Sequence, residues 1–170
     1  MTLRICLAGV ESTGKTVLGQ RLATEFGGVF MPEYGRAYCE ARGVDGLTME
    51  DLHIIAAGHA VERARLLAKA PKVLIEDTDI VMTCAWAAML FGAPDKTLRD
   101  LPADAAQYLM FDPGTPWIAD GTRLFGSTTQ RARFDSLIRA EFTRRGIVPV
   151  EISGNWQQRH LAAAAVLKHA

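Results

Sequence analysis

The 170-residue sequence has no excess of charge and no long apolar run. Its 19 basic and 19 acidic residues balance, which argues against a general nucleic-acid coat protein because such proteins need a strongly positive surface. The longest uncharged stretch, residues 80–94, is too short for a membrane span of roughly 20 apolar residues. The amino-terminal residues lack the long apolar core of a signal peptide. We therefore expect a cytoplasmic protein without nucleic-acid or membrane partners.

Cysteine and asparagine are scarce, and their positions exclude several classes of protein. The three cysteines, Cys6, Cys39 and Cys84, lie far apart and form no C-x-x-C pair, so neither a disulfide framework nor a zinc site is indicated. The sole asparagine, Asn155, is followed by Trp156, so the N-K-x-D motif that reads guanine is absent. No aspartate begins a D-x-x-G motif either. A guanine-nucleotide switch is therefore disfavoured.

Short apolar runs alternate along the chain with patterns typical of helices. This alternation predicts an α/β fold, a five-stranded parallel sheet with helices on both faces. The length suggests one domain spanning residues 1–170, with a lid at about 114–133. Ligands of such sheets bind beyond the carboxyl ends of the strands. We expect strands at 3–8, 29–31, 72–76, 107–111 and 147–152, helices at 15–26, 48–70, 80–91, 127–145 and from 155 onward, and a loop at 92–102.

One segment matches a phosphate-binding motif at every fixed position. Residues 9–16 read Gly-Val-Glu-Ser-Thr-Gly-Lys-Thr, which fits G-x-x-x-x-G-K-[ST], and a predicted strand precedes them while a predicted helix follows. Glycines allow successive backbone N–H groups to face phosphate oxygens at a helix N-terminus. Lys15 can reach the β- and γ-phosphates, and the Thr16 hydroxyl can ligate magnesium. Alternatively, the segment is only a glycine-rich turn beside a surface lysine and binds no phosphate. The predicted ATP contacts are Gly9, Val10, Glu11, Ser12, Thr13, Gly14, Lys15 and Thr16.

Acidic side chains follow two predicted strands at the edge where ligands bind. Asp77 and Asp79 come directly after the third strand, where a carboxylate can hold magnesium or accept a proton from a substrate hydroxyl. Either aspartate could instead cap the next helix. Glu33 follows the second strand and could accept sugar hydroxyls, and Arg36 could pair with a substrate anion. A structural ion pair between Glu33 and Arg36 is the alternative.

Arginines and glycines between residues 114 and 133 predict a mobile lid over the transferring phosphoryl group. Such a lid excludes water, which would otherwise compete with the acceptor. Arg123 is the first candidate for the lid arginine and Arg131 the second, both as ATP contacts. A solvated charged face on the following helix is the alternative for arginines beyond Ser127. We expect Trp86 to pack in the core; alternatively, its ring forms an aromatic wall of the acceptor pocket.

Four segments, taken in order, resemble the ribosylnicotinamide kinase domain of the NadR-like family. They are the phosphate loop at 9–16, Pro-Glu-Tyr-Gly-Arg at 32–36, Asp-Thr-Asp at 77–79 and Pro-Trp-Ile-Ala-Asp-Gly-Thr-Arg at 116–123. The phosphate loop is widespread, whereas the other three segments are more specific to this group. The resemblance covers nearly the whole chain.

The resemblance implies an adenylate-kinase-like P-loop fold and a phosphotransferase. ATP with Mg²⁺ would phosphorylate the 5′-hydroxyl of nicotinamide riboside, giving nicotinamide mononucleotide in NAD salvage. Asp77 would act as the base or the magnesium partner, and Arg123 as a lid residue. The candidate acceptor-site residues are Glu33, Tyr34, Arg36, Asp77, Asp79, Trp86 and Asp120.

Two features depart from the pattern of the family. Some members carry a DNA-binding region and an adenylyltransferase domain before the kinase, and the phosphate loop here begins at Gly9, so we expect neither additional activity. Pro32 stands where some members have a tryptophan, so a stacking role there is lost. A kinase for another nucleoside or small hydroxyl compound, and an ATP-dependent regulatory switch, remain alternatives.

Overall fold

The computed structural model describes residues 1–116, 118 and 124–169. None of the described helices is both long and apolar enough to cross a bilayer. Five strands and seven helices follow one another along this part of the chain. In order, they are β1 (Leu3–Ala8), α1 (Lys15–Glu25), β2 (Val29–Met31), α2 (Tyr34–Arg42), α3 (Met49–Leu67), β3 (Val73–Asp77), α4 (Ile80–Phe91), α5 (Lys96–Asp100), β4 (Gln107–Phe111), α6 (Thr128–Arg145), β5 (Val150–Ile152) and α7 (Trp156–His169).

The strands form one parallel sheet in the order β2-β3-β1-β4-β5. This confirms the predicted α/β architecture. Strand β1 lies at the centre, and its residue Leu7 is in register with Asp77 of β3. Because parallel strands end at the same edge, this register places the loop after β1 beside the carboxyl end of β3.

Alternate residues of β1 enter two apolar cores on opposite faces of the sheet, as the two-residue period of a strand requires. Ile5 and Leu7 pack with α1 and α7, whereas Cys6 and Ala8 pack with α4 and α6. All four are fully buried. Helices therefore cover both faces and leave the strand ends open to a ligand.

Side-chain caps fix the starts of three helices, and the sequence signals for them are confirmed. Thr48 and Asp51 form a capping box at α3, and Ser127 and Gln130 form another at α6. At α7, the Gln158 N–H donates to the Asn155 side chain and the Gln158 side chain accepts from the Asn155 N–H. The most accurate boundary predictions lie where such caps or glycines stand.

Two helices were not expected from the sequence. The segment at 92–102 was predicted as a loop, but Asp95 caps α5 by accepting from the Leu98 N–H at 3.0 Å, and Leu98 is fully buried. Helix α2 begins directly after Glu33, which makes no side-chain cap bond, and none of its residues is buried. Because α2 has neither a capping side chain nor a fully buried apolar face, its sequence shows no clear helical spacing of apolar residues.

Candidate active site

The loop after β1 has the backbone shape that phosphate binding needs. Gly9 and Gly14 adopt positive φ angles of 137° and 85°, and Ser12 also lies in the left-handed region at 61°. A Cβ on Gly9 would come within 2.9 Å of the Phe111 carbonyl oxygen, and one on Gly14 within 2.5 Å of the Trp156 ring. Only glycine fits at both positions, because they combine a left-handed backbone with close neighbours. The loop then leads into α1 at Lys15.

The side chain of Lys15 is held inside the curve of this loop. Its ammonium donates to the carbonyl oxygens of Gly9 at 2.8 Å and Val10 at 2.9 Å. The Thr13 hydroxyl also donates to the Val10 carbonyl, at 2.9 Å. The charge of Lys15 is therefore already at the phosphate loop, as the motif predicts.

Thr16, in the first turn of α1, contacts Asp77, the last residue of β3. The Thr16 hydroxyl donates to Asp77 Oδ2 at 2.5 Å. Asp77 is 1% exposed, and its other oxygen, Oδ1, is buried and has no hydrogen-bond partner among the described residues. A buried carboxylate oxygen without a partner is costly unless a cation or donor satisfies it. A hydroxyl beside a carboxylate at the phosphate loop supplies the hard oxygen ligands that Mg²⁺ prefers, so these two residues fit the predicted magnesium site.

Asp79 has structural partners for both carboxylate oxygens. Oδ1 accepts from the Val81 N–H at 2.9 Å and caps α4, and Oδ2 accepts from the Tyr108 hydroxyl at 2.6 Å. Burial raises the pKa of this carboxyl. The capping alternative is therefore the one seen in the structure, while a contact with the acceptor stays a prediction.

A cavity runs from the phosphate loop into the space between α2, α3 and α4. Glu33 lines it close to the phosphate loop, and burial together with the neighbouring Asp77 carboxylate raises the pKa of Glu33 to about 7. Lys15 and Arg36 act in the opposite direction. The far part of the wall is mostly apolar: Cys39, Val44, Leu47, Leu52, Ile55, Met82 and Trp86. A nucleoside-sized acceptor entering here would place its hydroxyl at Glu33 and its ring among apolar side chains.

Tyr34 and Arg36 occupy different environments although both were predicted to bind the acceptor. Arg36 lines the cavity. Tyr34 does not; its ring packs on α3, where a Cβ on Gly58 would come within 2.1 Å of it. The structure therefore gives Tyr34 a packing role that fixes α2 against α3.

Trp86 combines the two roles that the sequence left open. Its ring centroid lies 5.1 Å from that of Phe125 and 5.0 Å from that of Phe134. The same side chain lines the cavity. It therefore both packs in the core and forms part of the cavity wall.

Arg131, predicted as a lid arginine, is a buried tether. It donates to the carbonyl oxygens of Glu11 at 2.7 Å, Pro113 at 2.8 Å and Thr115 at 3.1 Å. These bonds tie α6 to the phosphate loop and to the segment after β4. The other lid candidates, Asp120 and Arg123, lie outside the described residues.

Sequence reasoning missed a buried charged cluster beneath the cavity. Glu76 is fully buried, accepts from Arg4 Nε at 2.8 Å, and faces His59 Nε2 at 3.3 Å and Arg63 at 3.6 Å. His59 also lines the cavity. The available signal was a glutamate inside an otherwise apolar strand, because a charge in that position needs buried partners.

The sequence of the chain is similar to those of known proteins. The sequence model of a family described as AAA domain matches residues 4–159. The Trifunctional NAD biosynthesis/regulator protein NadR of Escherichia coli (strain K12) is 33% identical over 140 residues, which are 79% of this chain and 34% of that protein. The chain thus spans about a third of the length of this curated relative.

Solved structures share the fold. A NadR protein in complex with NR superposes with a TM-score of 0.77 and 23% identity, covering 98% of this chain and 49% of the other. Thymidylate kinase from Ehrlichia chaffeensis superposes with a TM-score of 0.72 and 15% identity, covering 98% of both chains. These likenesses confirm the nucleotide and nucleoside kinase type of P-loop fold.

Proposed function

Since the chain belongs to the family described as AAA domain, we propose that it is an ATP-dependent kinase of a nucleoside. The proposed reaction transfers the γ-phosphoryl group of ATP to the 5′-hydroxyl of nicotinamide riboside and gives nicotinamide mononucleotide, a step of NAD salvage in the cytoplasm. The observation that carries the proposal is the cavity that joins the phosphate loop to Glu33 and an apolar pocket. The NadR relatives, one named for NAD biosynthesis and one solved in complex with NR, support this choice of acceptor.

The phosphate loop would bind ATP through its backbone N–H groups, at the positive end of α1. Lys15 would exchange its loop carbonyls for phosphate oxygens and neutralise the charge that develops on the transferred group. Thr16 and Asp77 would hold Mg²⁺. An ion held by these two residues would supply positive charge that stabilises the negative charge of the phosphates.

The two carboxylates, Asp77 and Glu33, would have different roles, one as a cation ligand and the other as a general base. Asp77 already accepts from Thr16, and its other oxygen is buried with no donor in the described part of the chain, which suits a cation ligand. Glu33 lines the cavity, so it would orient the acceptor hydroxyl and accept its proton during transfer. Its pKa of about 7 suits a general base that works near neutral pH.

The acceptor ring would lie in the apolar part of the cavity, with Trp86 as one wall. Arg36, from α2, would face anionic groups near the phosphate end. Asp79 and Tyr34 would act indirectly, by capping α4 and by packing α2 on α3. Arg123 and Asp120 complete the proposal as lid and acceptor-site residues.

Product detection tests the proposal. Purified protein, Mg·ATP and a nucleoside panel that includes nicotinamide riboside are incubated, and the products are separated by chromatography. We expect nicotinamide mononucleotide and ADP in equal amounts, and no product from the Lys15→Ala variant, whose folding is checked by circular dichroism. Turnover retained in Lys15→Ala would contradict the role of the phosphate loop.

The alternatives give different products in the same assay. Phosphorylation of another nucleoside would retain the mechanism and overturn the acceptor. ADP without a phosphorylated acceptor would favour a regulatory switch, in which hydrolysis depends on a protein partner. The acidic residue at the cavity and the apolar acceptor pocket favour the kinase.

A further inference from the structure

The wall of the cavity contains an imidazole that the proposed chemistry does not use. His59 lies on α3, is 6% exposed and lines the cavity together with Ile55, one turn earlier. The other residues of α2, α3 and α4 that line the cavity are mostly apolar. A polar atom in such a wall is a specificity element, because a bound ligand must either satisfy it or leave it unpaired.

The contact with Glu76 orients the ring of His59. Nε2 lies 3.3 Å from Glu76 Oε2, and the other oxygen of Glu76 accepts from Arg4 Nε at 2.8 Å. A carboxylate only accepts, so the Nε2 atom carries the proton of this contact. In the neutral imidazole, Nδ1 is then a hydrogen-bond acceptor.

Nδ1 is the atom of His59 that a ligand can reach. Within the described residues, Nδ1 has no hydrogen bond, while Nε2 contacts Glu76. Among the described residues, the buried polar atoms without a partner belong to Arg4, Asp77 and Asp135, so Nδ1 is not among those sealed from solvent. His59 lines the cavity, and Nδ1 is the ring nitrogen that the contact with Glu76 leaves for a ligand there.

We propose that His59 Nδ1 accepts a hydrogen bond from the carboxamide of the nicotinamide ring and selects this ring over its carboxylate analogue. This inference rests on the proposed function. A carboxamide has N–H donors that match Nδ1, whereas the carboxylate of nicotinic acid riboside has none and would meet a second acceptor. Arg4 and Arg63 face Glu76, so Glu76 keeps partners when His59 is replaced.

Two substitutions of His59 separate its two ring nitrogens. The amide introduced by His59→Gln would lie near the position of Nε2 and keep the contact with Glu76, whereas the amide introduced by His59→Asn would lie near Nδ1 and keep an acceptor for the ligand. His53→Gln is the matched control, because His53 lies on the same helix and contacts Asp95 and Glu50 instead of the cavity. Calorimetric titration without ATP gives the Kd for nicotinamide riboside and for nicotinic acid riboside, and steady-state assays give kcat and KM.

The expected result is selective. His59→Gln should weaken binding of nicotinamide riboside by about three- to tenfold, the loss expected for one hydrogen bond, with kcat changed much less. The preference for the carboxamide ligand should fall by a similar factor, His59→Asn should retain it in part, and His53→Gln should match the unaltered protein.

Other outcomes overturn the inference in distinguishable ways. Three results would refute the role of His59 and leave the kinase proposal intact. The unaltered protein could bind both ribosides equally well, or the ratio of the two Kd values could be unchanged in His59→Gln. The protein could also prefer the carboxylate ligand, as a protonated imidazole would. Failure of the unaltered protein to bind or phosphorylate either riboside refutes both.

Discussion

Replacing Arg131 tests whether this arginine is a structural tether or a ligand of ATP. The Arg131→Met substitution keeps the aliphatic stem and removes the guanidinium, which donates to the carbonyl oxygens of Glu11, Pro113 and Thr115. A hydrogen bond that involves a charged group contributes about 1.5–3 kcal/mol, so these three together contribute roughly 4.5–9 kcal/mol before water replaces any of them. The three carbonyl-bearing residues are partly exposed, so water can replace part of this loss.

We therefore expect Arg131→Met to lower the free energy of unfolding by about 3 kcal/mol, a large part of the total for a domain of this size. In a chain of this length, the corresponding decrease in Tm is about 6–12 °C. Urea titration followed by circular dichroism measures the change, and Arg133→Met, at an exposed position of the same helix, is the control. An unchanged urea midpoint together with a higher KM for ATP would refute the tether and restore Arg131 as an ATP contact.

Three further predictions address the site and its support. The fold raises the pKa of Glu33 from 4.5 to about 7, so the folded state binds more protons than the unfolded state between these pH values. The free energy of unfolding from urea titrations should therefore fall as pH rises through this range, and this pH dependence should be weaker in Glu33→Gln. Asp77→Asn should raise the Mg²⁺ concentration for half-maximal turnover by about tenfold or more, because a charged ligand is lost; an unchanged requirement would remove Asp77 from the magnesium site. Gly58→Ala should cost about 1–3 kcal/mol in urea titrations, because its Cβ would lie 2.1 Å from the Tyr34 ring, and equal stability would show that α2 shifts freely.

The parts of the fold predicted best from sequence are those with strong local signals. Buried strands such as β1 and β4 have apolar runs that end at glycine or at a turn, and α3 and α6 begin with capping boxes. Helix α5 escaped prediction because five residues contain too little periodicity, and its signal was the pair formed by a capping aspartate and one buried leucine. Local propensity therefore identified long elements and missed short ones held by tertiary contacts.

The phosphate loop was predicted residue by residue, since its chemistry depends on a contiguous motif. The acceptor side was predicted only in outline, because its residues come from three separate helices and adjacent sequence positions have different roles there. Glu33 and Tyr34 are neighbours in sequence, yet one lines the cavity and the other packs on α3. His59 gave no signal because its partner Glu76 is 17 positions away.

The acidic residues at the end of β3 show how the geometry of a strand assigns chemistry to a short sequence. Side chains of successive strand residues point to opposite faces, so Glu76 lies on the face of Cys6, while Asp77 lies on the face of Leu7 and α1. Glu76 therefore meets the cations beneath the cavity, and Asp77 meets Thr16 at the phosphate loop. Beyond the strand, Asp79 turns back to cap α4. A shift of β3 by one residue would exchange the first two roles, so the proposed site depends on the register between β1 and β3 as much as on the side chains.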